Sequence, residues 1–353
     1  MPETEASAAP PVAGLAGMHP AYFALVMATG IVSIAALLVG LRPVAIGLMA
    51  LNVLFYPLLW VLTVVRVVRH RQRVLADLLH HGRAVGFFTT VAATCVLGSQ
   101  LLVVGDAPGP ALALWVVGIL LWAVLTYGIF TLLTVKPEKP PLAEGINGGW
   151  LISVVAAQSV CVLGAQLAPR LGGPTPQLLL FCLAMWLGGG MLYLWIIGLI
   201  FYRYTFFPMS PADLAPPYWV NMGAAAISTL AGTALVAATP HSPVLQQVLP
   251  FVRGLTWMWW ATATWWIPML ILLGLWRHVY RRFPLRYDPL YWGAVFPLGM
   301  YTACTARLAQ TTDAQWLGAL PRVFVYLALA AWVGAFAGLL RSLAQQARAR
   351  AAV

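Results

Sequence analysis

Charged side chains are scarce in this chain of 353 residues, and acidic ones are the scarcest. Only 8% of the residues are charged, nine are Asp or Glu, and 61% are hydrophobic, whereas a soluble domain carries about 25% charged residues. This composition excludes a water-soluble fold. The alternation of polar and apolar residues typical of membrane-barrel strands is also missing. The apolar segments therefore predict membrane-spanning α-helices, and the fold class is an all-α integral membrane protein.

Residues that build catalytic or metal centres are also few. All four cysteines lie within apolar segments, which predicts packing roles rather than disulfides. His80 and His81 are adjacent in a loop, and the apolar segments contain no histidine pair spaced for a metal ion. We therefore expect no enzyme activity, no metal and no cofactor. The basic residues lie in short loops between helices, where topology explains them better than a nucleic-acid partner does.

Ten apolar segments are long enough to cross a bilayer as helices. They are 20–40, 44–68, 84–105, 111–135, 149–168, 177–203, 217–239, 247–276, 289–310 and 317–343. Residues 1–18 have acidic residues and prolines but no basic region, so we expect a disordered cytoplasmic tail rather than a cleaved signal. Residues 19–343 then form one ten-helix transmembrane domain, and residues 344–353 form a cytoplasmic C-terminal tail.

The basic residues are distributed unevenly between the loops. Most of the 20 Lys and Arg residues lie after the second, fourth, sixth and eighth segments and in the C-terminal tail, whereas the opposite loops contain only Arg42 and Arg170. By the positive-inside rule, both termini are expected in the cytoplasm. The sequence thus predicts a multi-pass protein of the inner (plasma) membrane.

Arginines occur within the last three segments without acidic partners there. Arg253, Arg307 and Arg322 lie toward the predicted outer side, while every Asp and Glu lies in a tail or loop. A charge inside the bilayer costs about 3 kcal/mol or more and needs a partner or water, so a transported anion is a natural partner. Snorkelling to the headgroups is the alternative, above all for Arg253 and Arg322. The same pattern argues against a cation path, which needs carboxylates.

The odd-numbered segments carry more Ser, Thr, Asn and Gln than the even-numbered ones. This difference predicts five helical hairpins, each with an inner and an outer helix, around a central pore lined by the odd helices. Small polar residues also act as packing contacts between membrane helices, which remains the alternative for any one of them. The residues predicted to line an anion path in these helices are Thr29, Thr94, Gln158, Asn221 and Ser228.

The ninth segment carries the sharpest pattern. Phe296, Met300 and Arg307 share one helical face, and Pro297 is expected to kink the helix beside Phe296. A ring at this depth could plug a narrow pore, with Arg307 about 16 Å further along the helix. Packing against neighbouring helices is the alternative for Phe296. His19, just before the first segment, is a candidate proton site, although such a histidine is commonly an interfacial residue.

Three segments resemble the tellurite-resistance and C4-dicarboxylate transporter family, which includes plant slow anion channels, yeast malate permeases and fungal sulphite exporters. They are His19-Pro20-Ala21-Tyr22-Phe23 with Ala28-Thr29-Gly30-Ile31, Asn147-Gly148-Gly149-Trp150, and Trp292-Gly293-Ala294-Val295-Phe296-Pro297. The resemblance extends over nearly the whole chain.

This resemblance implies ten helices arranged as five hairpins around a pore, in a homotrimer with one pore per subunit. It also implies that Phe296, by its Phe-Pro context, is the residue that occludes the pore. The expected substrates are small anions, either inorganic anions or C4-dicarboxylates, and the expected environment is the lipid bilayer. Because the family contains both channels and carriers, a proton-coupled dicarboxylate, sulphite or tellurite exporter using His19 remains the alternative. The chain departs from the plant channels in having short termini, so kinase gating is not expected.

Overall fold

A computed structural model describes residues 14–173, 175–285, 287–312 and 314–351. Most of the predicted N-terminal tail therefore lies outside the described residues. These residues form ten long helices: α1 Ala24–Leu38, α2 Arg42–Arg69, α3 Phe88–Val103, α4 Pro108–Val135, α5 Ile152–Leu167, α6 Thr175–Phe206, α7 Val220–Ala238, α8 Leu249–Leu275, α9 Trp292–Thr311 and α10 Ala319–Ala351. The last helix continues beyond residue 343, so the described part of the predicted C-terminal tail is helical.

Nine helical segments in the described part of the chain are long and apolar enough to cross a membrane. The ninth predicted segment is the exception, because α9 is not among these nine. It is a helix of 20 residues, which is about 30 Å and long enough to span the hydrocarbon core. Its hydropathy is lowered by Arg307, Gln310 and several threonines. The integral membrane class is confirmed, with one helix more polar than the others.

Burial divides the helices into two sets. The apolar windows of the segments that contain α1, α3, α5 and α7 are 83–94% buried, whereas those containing α2, α4, α8 and α10 are only 17–22% buried and α6 is intermediate at 44%. Most residues of α9 are buried as well. The more polar helices thus lie inside, since outer helices expose apolar side chains that suit lipid contact.

The five buried helices pack against one another in a closed order. Helix α1 contacts α3, α3 contacts α5, α5 contacts α7, α7 contacts α9, and α9 contacts α1 again. Each buried helix also packs against the outer helix that follows it in the chain. We refer to α1, α3, α5, α7 and α9 as the inner ring.

Every helix of the inner ring begins with a 3₁₀ turn. These turns are Pro20–Phe23, Val85–Phe87, Gly148–Leu151, Pro216–Trp219 and Pro289–Tyr291. Three of the turns begin with proline, which has no N–H group and therefore leaves no donor unsatisfied at the first position of a helix. At three turns a side chain accepts a hydrogen bond from a backbone N–H group, and these side chains are His19, Asn147 and Asp288. The five turns also contact one another in closed order, so the N-terminal ends of the inner helices meet at one end of the ring.

Candidate functional site

Three cavities follow one another along the inner ring. The first, the N-terminal vestibule, has a volume of about 340 Å³ and is lined by residues of all five 3₁₀ turns, among them Ala21, Gly86 and Pro217. The second, the central cavity, holds only about 20 Å³ and is lined by residues of all five inner helices. The third, the C-terminal vestibule, has a volume of about 260 Å³. Val103, Gln166, Leu230 and Arg307 line both of the last two cavities, which are therefore adjacent.

Phe296 lies at the interval between the first two cavities. On the ninth helix and its preceding turn, Leu290 lines the N-terminal vestibule and Met300 lines the central cavity. Phe296 is between them in the chain, is 1% exposed, and belongs to the lining of neither cavity. The open space of the ring is thus interrupted at the depth of this side chain.

Close packing fixes the helix that carries Phe296. A Cβ atom built on Gly223 of α7 would lie 2.8 Å from Cγ of Pro297, and one on Gly299 would lie 3.0 Å from Cγ2 of Ile31 and of Val32 in α1. Both distances are shorter than an ordinary van der Waals contact. The glycines therefore allow α7 and α1 to approach α9 on either side of the Phe296 position.

The N-terminal vestibule is lined by residues of five helix N-termini and by charged side chains of both signs, Arg203, Glu144 and Asp213. Each helix N-terminus carries a partial positive charge that favours anions, and side chains already accept N–H bonds at three of the five turns. Arg203 lies on α6 and is 6% exposed. Its guanidinium donates to the Ala143 carbonyl and, at 2.7 Å, to the Tyr218 hydroxyl, and lies 3.5 Å from Asp213.

His19 borders this vestibule as a neutral capping residue. Its Nδ1 accepts a hydrogen bond of 3.0 Å from the Ala21 N–H. Burial, together with the nearby Arg83 guanidinium, lowers the pKa of His19 from 6.5 to about 4. Next to it, Asp77 accepts hydrogen bonds from Arg66 and Arg83. Burial acts to raise the pKa of Asp77, but these two guanidinium groups outweigh it and the pKa lies below its ordinary value.

Arg307 lines both the central cavity and the C-terminal vestibule. Its Nη1 donates to Oε1 of Gln310 at 3.1 Å. Arg170 also lines the C-terminal vestibule and is paired with Asp106 at 2.8 Å, but both side chains are well exposed and such a pair contributes little to stability. An arginine is therefore placed in each vestibule, Arg203 in one and Arg307 in the other.

The other predicted path residues lie at contacts between inner and outer helices. Thr29 accepts a bond from Trp332 of α10, and Thr94 pairs with Tyr56 of α2. Gln158 donates to the Trp186 carbonyl of α6 at 3.0 Å. None of these three lines a cavity of the ring as described above, so their positions favour the packing alternative.

The predicted polar face of α7 also lies at contacts with outer helices. The Ser228 carbonyl accepts a bond from the Trp186 indole, and Asn221 donates to the Tyr204 hydroxyl of α6 at 3.2 Å. A Cβ atom on Gly232 would lie 2.1 Å from Oγ1 of Thr256 in α8. Arg253 is exposed on α8, a position that favours the snorkelling alternative. This face of α7 therefore packs against outer helices.

Several polar residues of the cavities were not predicted. Ser99, Ser159 and Gln166 line the central cavity, and Gln166 and Thr233 line the C-terminal vestibule. Ser159, Val162 and Gln166 are spaced by three and four residues, which places them on one helical face. That spacing was available in the sequence, but nothing in it indicated that this face of α5, rather than the face of Gln158, points toward the axis.

Comparison with known proteins gives a family for the chain. The sequence profile of the family described as voltage-dependent anion channel (SLAC1) matches residues 17–340. An uncharacterized membrane protein of Mycobacterium tuberculosis is 38% identical over 153 residues, which are 43% of this chain and 77% of that protein. An uncharacterized transporter of Methanocaldococcus jannaschii is 29% identical over 296 residues, or 80% and 81% of the two chains. A sulfite efflux pump of Arthroderma otae is 24% identical over 355 residues, or 92% and 90%.

Proposed function

The chain belongs to the voltage-dependent anion channel family, as its resemblance predicted, and from this premise we propose that it lets small anions cross the bilayer through a pore inside the inner ring. The observation that carries the proposal is the series of three cavities along the inner ring. All five 3₁₀ turns line the first cavity, all five inner helices line the second, and α3, α5, α7 and α9 line the third. The closed packing order of these helices supports the arrangement as five hairpins around a pore.

The charges at both ends support an anion as the substrate. Five helix N-termini favour negative charge at the N-terminal vestibule, where Arg203 is paired with Asp213, and Arg307 favours it at the C-terminal vestibule. The central cavity between them is lined mainly by apolar residues, such as Ile31, Val96 and Ile227. A narrow apolar section passes an ion only when it is wide enough to hold water. We infer that capture occurs in the vestibules and that the apolar section controls passage.

We propose that Phe296 occludes this pore. The interruption between the N-terminal vestibule and the central cavity supports this role, as does the close packing that holds α9 at Gly223 and Gly299. Met300, which lines the central cavity, would be the next side chain that a passing anion meets. Removal of the Phe296 ring would join the two cavities.

The substrate class follows from the family and from one named relative. The Arthroderma otae protein is a sulfite efflux pump, which supports a small oxyanion among the transported species of this chain. Inorganic anions and C4-dicarboxylates remain the two substrate classes to compare. We further propose a homotrimer in the inner (plasma) membrane with both termini in the cytoplasm, an orientation that places the N-terminal vestibule on the cytoplasmic side.

A proton-coupled carrier that uses His19 is the second candidate. It would require the imidazole to gain and lose a proton near neutral pH. With a pKa of about 4 and Nδ1 engaged by a backbone N–H, the described geometry favours a permanently neutral His19. A channel or an uncoupled carrier is thus the better supported mechanism.

The experiment is an anion-flux measurement on the protein reconstituted in liposomes. Phe296→Ala should conduct chloride or nitrate at least about tenfold more than the parent, because removing a plug lowers the barrier by more than about 1.4 kcal/mol. Phe88→Ala is the control, since Phe88 is equally buried but packs 5.7 Å from the Phe130 ring of an outer helix. Equal flux in the two variants would show that Phe296 does not occlude the pore. A screen of chloride, nitrate, sulphite, malate and tellurite would identify the substrate.

A further inference from the structure

A fourth cavity lies outside the inner ring, between α8, α9 and α10. We call it the lateral crevice. It has a volume of about 310 Å³, and its walls include Leu270, Leu273 and Gly274 of α8, Leu298 of α9 and Ala331 of α10. Helix α8 packs closely on α7 but only slightly on α9. The crevice therefore follows the gap that α8 leaves over the surface of α9.

One end of the lateral crevice is formed by an irregular segment. Immediately after α8, residues Trp276–Tyr280 form a π-helical turn, a widening that membrane and soluble helices often show at functional sites. This turn places Arg277 in the crevice wall. Arg277 is 9% exposed, so its charge lies inside the protein surface rather than in the surrounding solvent.

Arg277 is incompletely satisfied. Its Nη1 donates to the Leu214 carbonyl, and its guanidinium carbon lies 4.5 Å above the centre of the Phe283 ring. Its Nε atom is buried and has no hydrogen-bond partner among the described residues. A buried charged donor without a partner is costly, and an anionic ligand in the crevice would supply the missing acceptor.

The surroundings of Arg277 are basic on one side and apolar on the other. His278 also lines the crevice, but its Nδ1 is engaged with the Phe283 carbonyl. Arg281 and Arg282 follow in the chain and are exposed. Asp288 is the nearby carboxylate of the next turn, and it accepts the Leu290 N–H. Beyond this basic end, the leucines of α8 and α9 form an apolar wall. A small soluble anion bound at the basic end would not contact this wall.

We propose that the lateral crevice binds an anionic phospholipid, with the phosphate at Arg277 and the start of one acyl chain along Leu270, Leu273 and Leu298. This ligand matches both the charge at one end and the apolar wall at the other. The exposed side chains next to the crevice, Leu272 and Leu275, are 62% and 51% exposed, as expected where a helix faces acyl chains. A zwitterionic lipid carries a phosphate too, but its cationic group would meet the basic residues.

The site also touches the helix that carries Phe296. Ala294 and Leu298, two residues before and after Phe296, both line the lateral crevice, whereas Phe296 itself lies on the buried side of α9. A bound lipid would therefore contact the outward face of α9 at the same depth.

The test is lipid binding to the purified full chain by native mass spectrometry. The probes are dioleoyl-phosphatidylglycerol, dioleoyl-phosphatidylcholine with the same acyl chains, and inorganic phosphate. The protein should retain phosphatidylglycerol in preference to the other two, and Arg277→Gln should weaken this binding about tenfold, as expected for loss of one charge-assisted contact. Equal retention of both lipids, or binding of phosphate alone, would overturn the proposal.

A second variant covers the case in which Arg277→Gln disturbs the fold. Gly274 lines the lateral crevice and a Cβ atom there meets no atom within 4 Å, so the side chain of Gly274→Leu has room to begin in the crevice and should weaken phosphatidylglycerol binding by occupying it. Gly254→Leu is its matched control, because Gly254 lies on the same helix, is exposed, and is equally unobstructed. Unchanged binding in Gly274→Leu refutes the site. Anion flux plays no part in this readout, so a failure of the proposed function would be seen separately.

Discussion

The contact between Gly223 of α7 and Pro297 of α9 yields a quantitative prediction about the packing next to Phe296. In Gly223→Ala, the new Cβ atom would lie 2.8 Å from Cγ of Pro297, 3.1 Å from its Cβ and 3.4 Å from its Cα. The proline ring cannot rotate away, because it is closed onto its own backbone. Helix α9 would have to withdraw by about 0.6 Å to restore an ordinary contact.

The expected energy combines two opposing effects. Overpacking of this kind costs about 1–3 kcal/mol, while replacing Gly by Ala inside a helix stabilises it by about 1 kcal/mol. Gly293→Ala separates them, since Gly293 lies on α9 and its Cβ would meet only Cα of Pro217 at an ordinary 3.7 Å. That variant keeps the helix gain without the clash. Gly223→Ala should therefore be less stable than Gly293→Ala by about 1–3 kcal/mol.

The assay is thermal unfolding of both variants and the parent in the same detergent and at one scan rate. The melting temperature of Gly223→Ala should lie several degrees below that of Gly293→Ala. If the two alanine variants melt together at or above the melting temperature of the parent, α7 and α9 do not approach at Gly223 and the described position of Pro297 is wrong. If both instead melt equally far below the parent, α7 and α9 are generally intolerant of side chains at glycine positions.

Two further predictions concern the vestibules. Arg307→Gln should reduce anion flux in liposomes about tenfold, because about 1.4 kcal/mol of lost attraction at a vestibule corresponds to that factor. The exposed Arg253→Gln is the control and should leave flux unchanged. Unchanged flux in Arg307→Gln would assign Arg307 to snorkelling. His19→Gln should not alter the pH profile of flux between pH 6 and 8, because the lowered pKa keeps the imidazole neutral until the pH falls toward about 4. If the parent's flux depends on pH in that range and His19→Gln loses this dependence, the proton-coupled mechanism is supported instead.

Hydropathy alone predicted the long helices, because a membrane helix must present about 20 apolar residues whatever it packs against. The described helices begin and end within several residues of the predicted segments. Helix α9 shows the limit of this rule, since its polar residues bring it below the hydropathy expected of a spanning helix even though its neighbours bury most of it. The excess of polar residues in odd segments correctly indicated which helices are buried.

The direction of each polar residue could not be predicted in the same way. Trp186 of α6 explains why, because its carbonyl accepts from Gln158 and its indole donates to the Ser228 carbonyl. One outer residue thus engages the Gln158 side chain of α5 and the Ser228 backbone of α7, two residues that the sequence assigned to an anion path. Hydrogen-bonding capacity inside a membrane is used between helices as readily as along a pore. Only the tertiary arrangement distinguishes the two.

The two sets of helices differ in length, and this affects how a membrane voltage would act. The inner helices have 15–20 residues and the outer helices 27–33, or roughly 22–30 Å against 40–50 Å at 1.5 Å per residue. Water in the two recessed vestibules would carry bulk potential toward the centre. An anion in transit would then experience most of the roughly 2.3 kcal/mol per 100 mV over the short section between the vestibules. If Phe296 occludes the pore as proposed, the steepest field in the protein would therefore lie across Phe296 and the central cavity.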